Sequence, residues 1–445
     1  MRSTAQLYPP RYDDADEIRD RLHDSLVAFL EAAEIPKEMW TFYFWVSGIA
    51  EPSEMFQDGV SNGEADRFVV LYTTNIGLAG HSTGLVYDQR THRATMALGI
   101  EDLDFSQPPE QHSDLWHPLE TVLTQWIEMI RIGKITASPE DEGDGDDSDE
   151  RVGSEEGDAA GNRIEKATNE KLGPWTWHAY SATQVDSAVA ASNRLASAIE
   201  SRMPEGSLLP ESASPLLRDA DLDAAAVPAN CFIRSFLTHI RPPRFSTIAP
   251  GLLVPHDAAR FARQQRFTRM DYASADDGQH IIPPVLIFSA EGDRTVNFDS
   301  DSRYISHNPF CRAFADGVPA GDHSVPAGLY SESVERTAVD NAEEGFRLLL
   351  PYCLREAGQE DSGAKKSDGG YVEKKSVADL FQHGFKPFGG EWWRAQRLER
   401  LFDRWRELVE SRVWAVCETG VQGSIDIFKD ADTTRTRDYW IAPSW

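Results

Sequence analysis

Residues 284–289, PVLIFS, and the segment AEGDRTVN at 290–297 that follows them decide how the larger part of this chain is read. Val285 to Phe288 are wholly apolar, the pattern of a strand buried on both faces at the centre of a parallel or mixed sheet. In open α/β sheets, ligands bind beyond the carboxyl ends of such strands. Ser289 and Glu291 are therefore candidates for a pocket, with Asp293, Arg294 and Asn297 in the same polar loop.

Working outward, helical spacing runs from Ser333 to about Glu356, a charged loop that reads as flexible spans 357–376, and a final helix from Glu391 to Ser411 buries Trp392, Leu398, Leu401, Trp405 and Leu408. On the amino side, Ser181 and Gln184 form a capping box before a stripe of Val185, Val189, Leu195 and Ile199. Helical spacing returns between His256 and Phe267. Residues 171–445 thus read as a larger α/β domain with long helices.

Residues 137–170 read as an acidic, disordered linker, because eleven acids and one base fall between Glu140 and Asp158 with almost no apolar side chain to bury. Residues 1–136 read as a small α+β unit. A helix begins near Ile18 and stops at Pro36, and strands are expected at 41–46, 67–73, 85–87 and 93–98. The last two form a hairpin through Asp88–His92, and a helix from Pro118 to Ile130 turns Val122, Trp126 and Ile130 inward. The fold class expected for the whole is α/β, mixed α+β.

No stretch approaches the ~18 apolar residues of a membrane span, so a cytoplasmic location without a membrane partner is expected. The four cysteines lie far apart and suit a reducing core better than a zinc site or disulfide framework. No Walker A loop, Rossmann glycine fingerprint, H-E-x-x-H or paired C-x-x-C occurs, which leads to the expectation of neither metal nor cofactor.

Several short patterns have two readings each. Gly80 to Gly84 spell G-x-S-x-G, but Leu85 to Asp88 after it read as strand and turn, where a nucleophile elbow needs a helix. Asp13, Asp14 and Glu17 spell D-D-x-x-E; paired carboxylates bind amines or guanidinium groups, yet acids at that place also cap a helix. Asp340, Asn341 and Glu344 form a near match inside the expected helix, where Asp340 and Glu344 share a face, either as a site or as a solvated ion-pair surface.

Between Cys231 and Met270 lie seven arginines, Arg234, Arg241, Arg244, Arg260, Arg263, Arg266 and Arg269, against one acid, Asp257, in a chain of net charge −29. Arginine without lysine suits bidentate phosphate or carboxylate binding, with Arg260, Arg263 and Arg266 along one side of a helix. The other reading pairs them with acids of neighbouring elements.

The segments FIRSFLTHIRPPRF (232–245), VDNAEEGFRLLLPY (339–352) and FKPFGGEWWRAQRLERLFDRWRELVE (385–410), with the acidic clusters, resemble the arginine-containing cyclodipeptide synthases of filamentous fungi. The resemblance implies a secondary-metabolism transferase that takes arginine from arginyl-tRNA and a second residue from another aminoacyl-tRNA, then closes a diketopiperazine. The ester to tRNA carries the activation, so no cofactor is implied. It also implies an essential D-D-x-x-E motif, matched literally by Asp13, Asp14 and Glu17, whereas Asn341 departs from it beside Asp340 and Glu344. Phosphate contacts would come from Arg241, Arg244, Arg260, Arg263 and Arg266. Two other classes stay open. A non-catalytic interaction protein predicts an acid beside each arginine, and a cofactor-free enzyme with a phosphate or carboxylate ligand predicts a pocket too small for an acceptor stem.

Overall fold

The computed structural model describes residues 6–7, 18–35, 41–75, 82–138, 170–269, 281–297, 310, 324–336, 341–356, 362–390 and 395–445. Its fold is mixed α/β. Helix α1 (Asp24–Ala32) is followed by four antiparallel strands in the order β1 (Val46–Ile49), β2 (Phe68–Thr74), β3 (Ser82–Asp88) and β4 (Arg93–Gly99). The expected hairpin is β3–β4. Asp88 holds its turn, accepting from Thr91 Oγ1 at 2.8 Å and Arg90 N at 3.0 Å. Arg67 grips the same carboxylate through Nε and Nη2, both at 2.9 Å. Burial disfavours ionisation of Asp88, but Arg67, Thr91 and the Arg90 backbone N–H together outweigh it and hold the carboxyl below its ordinary value.

Two details of this unit differ from the sequence pattern. Residues 41–45 precede the strand, which begins only at Val46: Tyr43 N donates to Val46 O at 3.1 Å and Phe42 N to Ser47 O at 2.9 Å, so the chain turns on itself and still buries Tyr43, Phe44 and Trp45. On helix α2 (Leu119–Arg131), Met129 takes the core position with Val122 and Trp126, leaving Ile130 40% exposed. At the former G-x-S-x-G, Gly84 has φ +135°, and a Cβ there would meet Tyr72 O at 1.8 Å. The glycine serves a register shift between β2 and β3.

The three strands β5 (Ile135–Ala137), β6 (Glu170–Leu172) and β7 (Trp175–Trp177) make a small antiparallel sheet with β7 in the middle. It clamps both ends of the acidic stretch, whose residues 139–169 lie outside the described ones.

The larger sheet draws on the rest of the chain. Helices α3 (Ala182–Glu200) and α4 (Phe232–His239) precede β8 (Thr247–Ala249) and β9 (Leu252–Leu253); helix α5 (Ala258–Gln264) precedes β10 (Leu286–Ala290), β11 (Gly328–Ser331) and β12 (Phe346–Leu349); helix α6 (Leu398–Glu410) precedes β13 (Val416–Cys417) and β14 (Gly420–Val421). The order is β12-β11-β10-β9-β8-β14-β13, antiparallel except for β8–β14. Strand β10 is buried throughout, as its apolar run requires. Phe402 of α6 joins Phe236 of α4 at 5.7 Å and Phe288 of β10 at 6.3 Å. The capping box of α3 is present, with Ser181 Oγ accepting from Gln184 N at 3.2 Å and Gln184 Oε1 from Ser181 N at 3.0 Å.

Three expectations are corrected here. Both neighbours of β10 run antiparallel to it, so its carboxyl end is not the crevice of a parallel sheet. The helix expected from Ser333 to Glu356 is replaced by the short strand Val334–Glu335 and by β12. Phe346–Leu349 is a short run, apolar except for Arg347, between Gly345 and Pro351, and periodicity alone does not separate such a run from a buried helix. Residues 362–376, expected to be flexible, are packed: Ala364 and Val372 are buried, and Ala364 N donates to Asp432 Oδ1 at 2.9 Å. The final helix begins at Leu398 and buries Leu398, Leu401, Trp405 and Leu408 as expected; Trp392 lies outside the described residues.

Burial divides into two cores. The first takes in β1–β4 and α2, and also Trp175, Trp177, Phe385, Phe388 and Trp445. Trp126 Nε1 donates to Phe388 O at 2.7 Å, and Met96 N to Pro387 O at 2.8 Å. Among the described residues no helix is long and apolar enough to cross a membrane.

Candidate functional site

Between Arg336 and β12 the chain carries Asn341, Ala342, Glu343 and Glu344, all buried, so this segment is neither helical nor a solvated ion-pair face. Two adjacent buried carboxylates need separate partners, and each has one. Glu343 Oε1 accepts from Arg336 Nε, and Oε2 from Phe232 N at 3.0 Å, which places a negative charge on the first turn of α4. Burial works against the Arg336 charge, but Glu343 outweighs it and raises the guanidinium above its ordinary value. Beside them the Cys231 thiol is pushed up to about 12, by burial and then by Glu343. A thiol held protonated is a core residue and no nucleophile.

Glu344 is bound from the first unit. Lys134, fully buried in the turn after α2, donates to Glu344 Oε2 at 3.1 Å and to Ala179 O at 2.9 Å. Its ammonium lies 5.1 Å from the Trp177 ring. The backbone is fixed on both sides, by Trp177 Nε1 to Asn341 O at 2.8 Å and by Leu398 N to Glu344 O at 2.8 Å.

Where α2, α3, α4 and the start of α6 converge on Glu344 there is a cavity of about 60 Å³, with Glu128, Gln184, Phe232, Glu344, Arg397 and Glu399 in its wall. Among the described residues Glu344 Oε1 and Gln184 Nε2 are buried without a hydrogen-bond partner. Arg397 Nη1 is 2.8 Å from Glu399, and its guanidinium stacks on Trp445 at 3.8 Å. Lys134 thus offsets Glu344 and Arg397 offsets Glu399, and among the described residues Glu128 is left as an unmatched charge of the wall. The volume equals that of about four waters at ~15 Å³ each, below the ~300 Å³ at which pockets enclose whole ligands. It has room for a small polar head that donates to Glu344 Oε1, with space left for a water to accept from Gln184 Nε2.

Of the sequence candidates, Glu344 alone lies in this cavity. Asp340, Asp13, Asp14 and Glu17 lie outside the described residues, and Glu344 itself is not in a helix. Ser289 is buried within β10, opposite Leu253 and Gly328, with no histidine or carboxylate hydrogen-bonded to it among the described residues. Glu291 is exposed in the turn that follows.

At least five of the seven arginines have partners of their own. Arg234 pairs with Asp219 and Asp223, Arg241 with Glu200, and Arg260 with Asp293. Arg244 Nε donates to Leu209 O at 2.8 Å and Arg269 Nη2 to Ala224 O at 2.6 Å. Arg263 and Arg266 are exposed.

Sequence reasoning did not single out Lys134, Glu128 or Arg397, and saw Gln184 only as a cap. The one signal was Lys134 itself, a lone lysine in IGKIT at 132–136. Among the described residues no group of three or more His, Cys, Asp or Glu is placed to hold a metal ion. No protein-family model matches the chain, and neither a curated protein nor a solved structure matches it.

Proposed function

We propose that the protein binds the cationic head of a small molecule, an ammonium or guanidinium group, in the Glu344 cavity. The observation that carries this reading is Glu344 Oε1, a buried carboxylate oxygen without a donor while its sister oxygen is held by Lys134. A buried acceptor left unmade costs about 1–3 kcal/mol, more when charged, and a ligand N–H recovers that cost. Glu128 supplies the excess negative charge, and Ile132, Ala188 and Phe232 give an apolar wall for the methylenes behind the head.

A narrower form follows from the resemblance: the head is the guanidinium of an arginyl group delivered by arginyl-tRNA, and the product is an arginine-containing cyclic dipeptide. The guanidinium chemistry of the cavity favours it. The surface favours it less, because Arg241 and Arg260, expected on tRNA phosphate, already face carboxylates. Asn341 is no spare carboxylate either, since its Nδ2 donates to Arg336 O at 3.2 Å. The pairing of Arg234, Arg241 and Arg260 is what an interaction protein predicts, but Arg244 and Arg269 meet backbone carbonyls instead.

Titration calorimetry with arginine, guanidinium and a diamine tests the proposal on the wild type, Glu344→Gln and Glu128→Gln. Saturable binding that is lost in Glu344→Gln and weakened several-fold in Glu128→Gln supports it. Absence of binding by all three probes, with the wild type folded by circular dichroism, means that the cavity holds water alone. Mass spectrometry of host extracts for an arginine-containing cyclic dipeptide tests the narrower form.

A further inference from the structure

A second cavity, about 370 Å³, opens between α6 and residues 440–442, and shares no lining residue with the Glu344 cavity. Its wall carries Arg400, Asp403, Arg404, Arg406, Glu407 and Trp440. The charges resolve pair by pair. Arg404 is 2.7 Å from Glu407, Asp403 is 3.0 Å from Arg194 and 3.5 Å from Arg406, and Arg406 also reaches Glu410 at 2.9 Å. Arg400 is the cation left over: its bond is from Nη2 to Ala442 O at 3.1 Å, and no carboxylate lies in ion-pair range of it among the described residues. Among the described residues its Nε is buried without an acceptor, and so is Nε1 of Trp440. Burial, and then Arg397, push the Arg400 guanidinium down to about 10, against a weaker opposite pull from Glu399, Asp403 and Glu407.

We propose that this groove binds a small oxyanion, a carboxylate or a phosphate, between the Arg400 guanidinium and the indole N–H of Trp440. A planar guanidinium fork matches either anion bidentately, and an indole N–H adds one directed donor. The neighbouring acids are already neutralised by their own arginines, so they do not exclude an anion. The site is independent of the Glu344 cavity and would take the acidic end of the same ligand or a separate one.

The test is calorimetry with inorganic phosphate in one arm and acetate and glutarate in the other, at fixed ionic strength. The wild type is expected to bind one class at one site, and the tighter arm identifies the class. Arg400→Met should weaken that binding at least tenfold, Arg400→Lys by an intermediate factor because the fork is lost while the charge stays, and Trp440→Phe by about threefold to tenfold. Arg400→Met removes an uncompensated buried charge, so its melting temperature should not fall; this separates lost binding from lost fold. No one-site isotherm in either arm, or equal affinities in wild type and Arg400→Met, would overturn the proposal.

Discussion

Replacing Lys134 by methionine keeps the length and most of the volume of the side chain but leaves the Glu344 carboxyl group without its cation in a site that is 3% exposed. Both members of the pair are buried, at 0% and 4% side-chain exposure, so solvent does not screen the loss. Removing one partner of such a pair costs about 3–5 kcal/mol. For 445 residues melting together at about 2.1 cal/mol/K per residue, this corresponds to a fall of roughly 3–5 °C. Glu344→Met should cost less, because Lys134 keeps Ala179 O and the Trp177 ring. The double variant, with an apolar pair in place of the ionic one, should recover most of the loss, giving a coupling of about 2–3 kcal/mol in urea denaturation. If the double variant equals the sum of the singles within about 0.5 kcal/mol, the two side chains do not act as a buried pair and the account of the cavity falls with them.

Gly84→Ala should destabilise the first sheet by at least about 1–3 kcal/mol, read as a lower urea midpoint, since the added methyl meets Tyr72 O; an unchanged midpoint would mean that the register shift is not required. Ser181→Ala should cost about 1 kcal/mol through the α3 cap, and Ser181→Asp should restore most of it, in the same assay. Burial holds the His117 imidazole below its ordinary 6.5. The unfolded chain therefore binds this proton first, so stability present above pH 6.5 is lost as the pH falls toward the lower folded value. His117→Gln should flatten that slope in melts between pH 7 and 5, and an unchanged slope would show that other groups carry it.

The parts of the fold that were legible share one property: their signal is local. The capping box at Ser181, the β3–β4 hairpin with its Asp88 turn, the buried run of β10 and the apolar stripe of α6 each follow from residues within a few positions of one another. The segment 333–356 misled because Phe346–Leu350, broken by Arg347 alone, is too short for its period to tell strand from helix, and Gly345 was the better clue. Glu344 was picked out as half of a helical pair and reaches a polar cavity for another reason, through Lys134, which stands 210 positions away. No spacing rule reports a contact of that range. The arginine island failed in the same way, since its acids, Glu200, Asp219, Asp223 and Asp293, all lie outside the window in which the charge was counted.

The hydrogen bond from Trp126 to Phe388 spans 262 positions, and Phe385, Phe388 and Trp445 lie in the same core as β1–β4. During synthesis this sheet and the helices that pack on it leave the ribosome long before these three aromatic residues exist, so for a time one part of the core stands open. At ~5–20 residues per second that interval lasts on the order of 10 to 50 s, long enough for the open part to meet a chaperone or another nascent chain. The core is thus closed long after its sheet is made, and fragments ending before residue 383 should be less soluble than the whole chain.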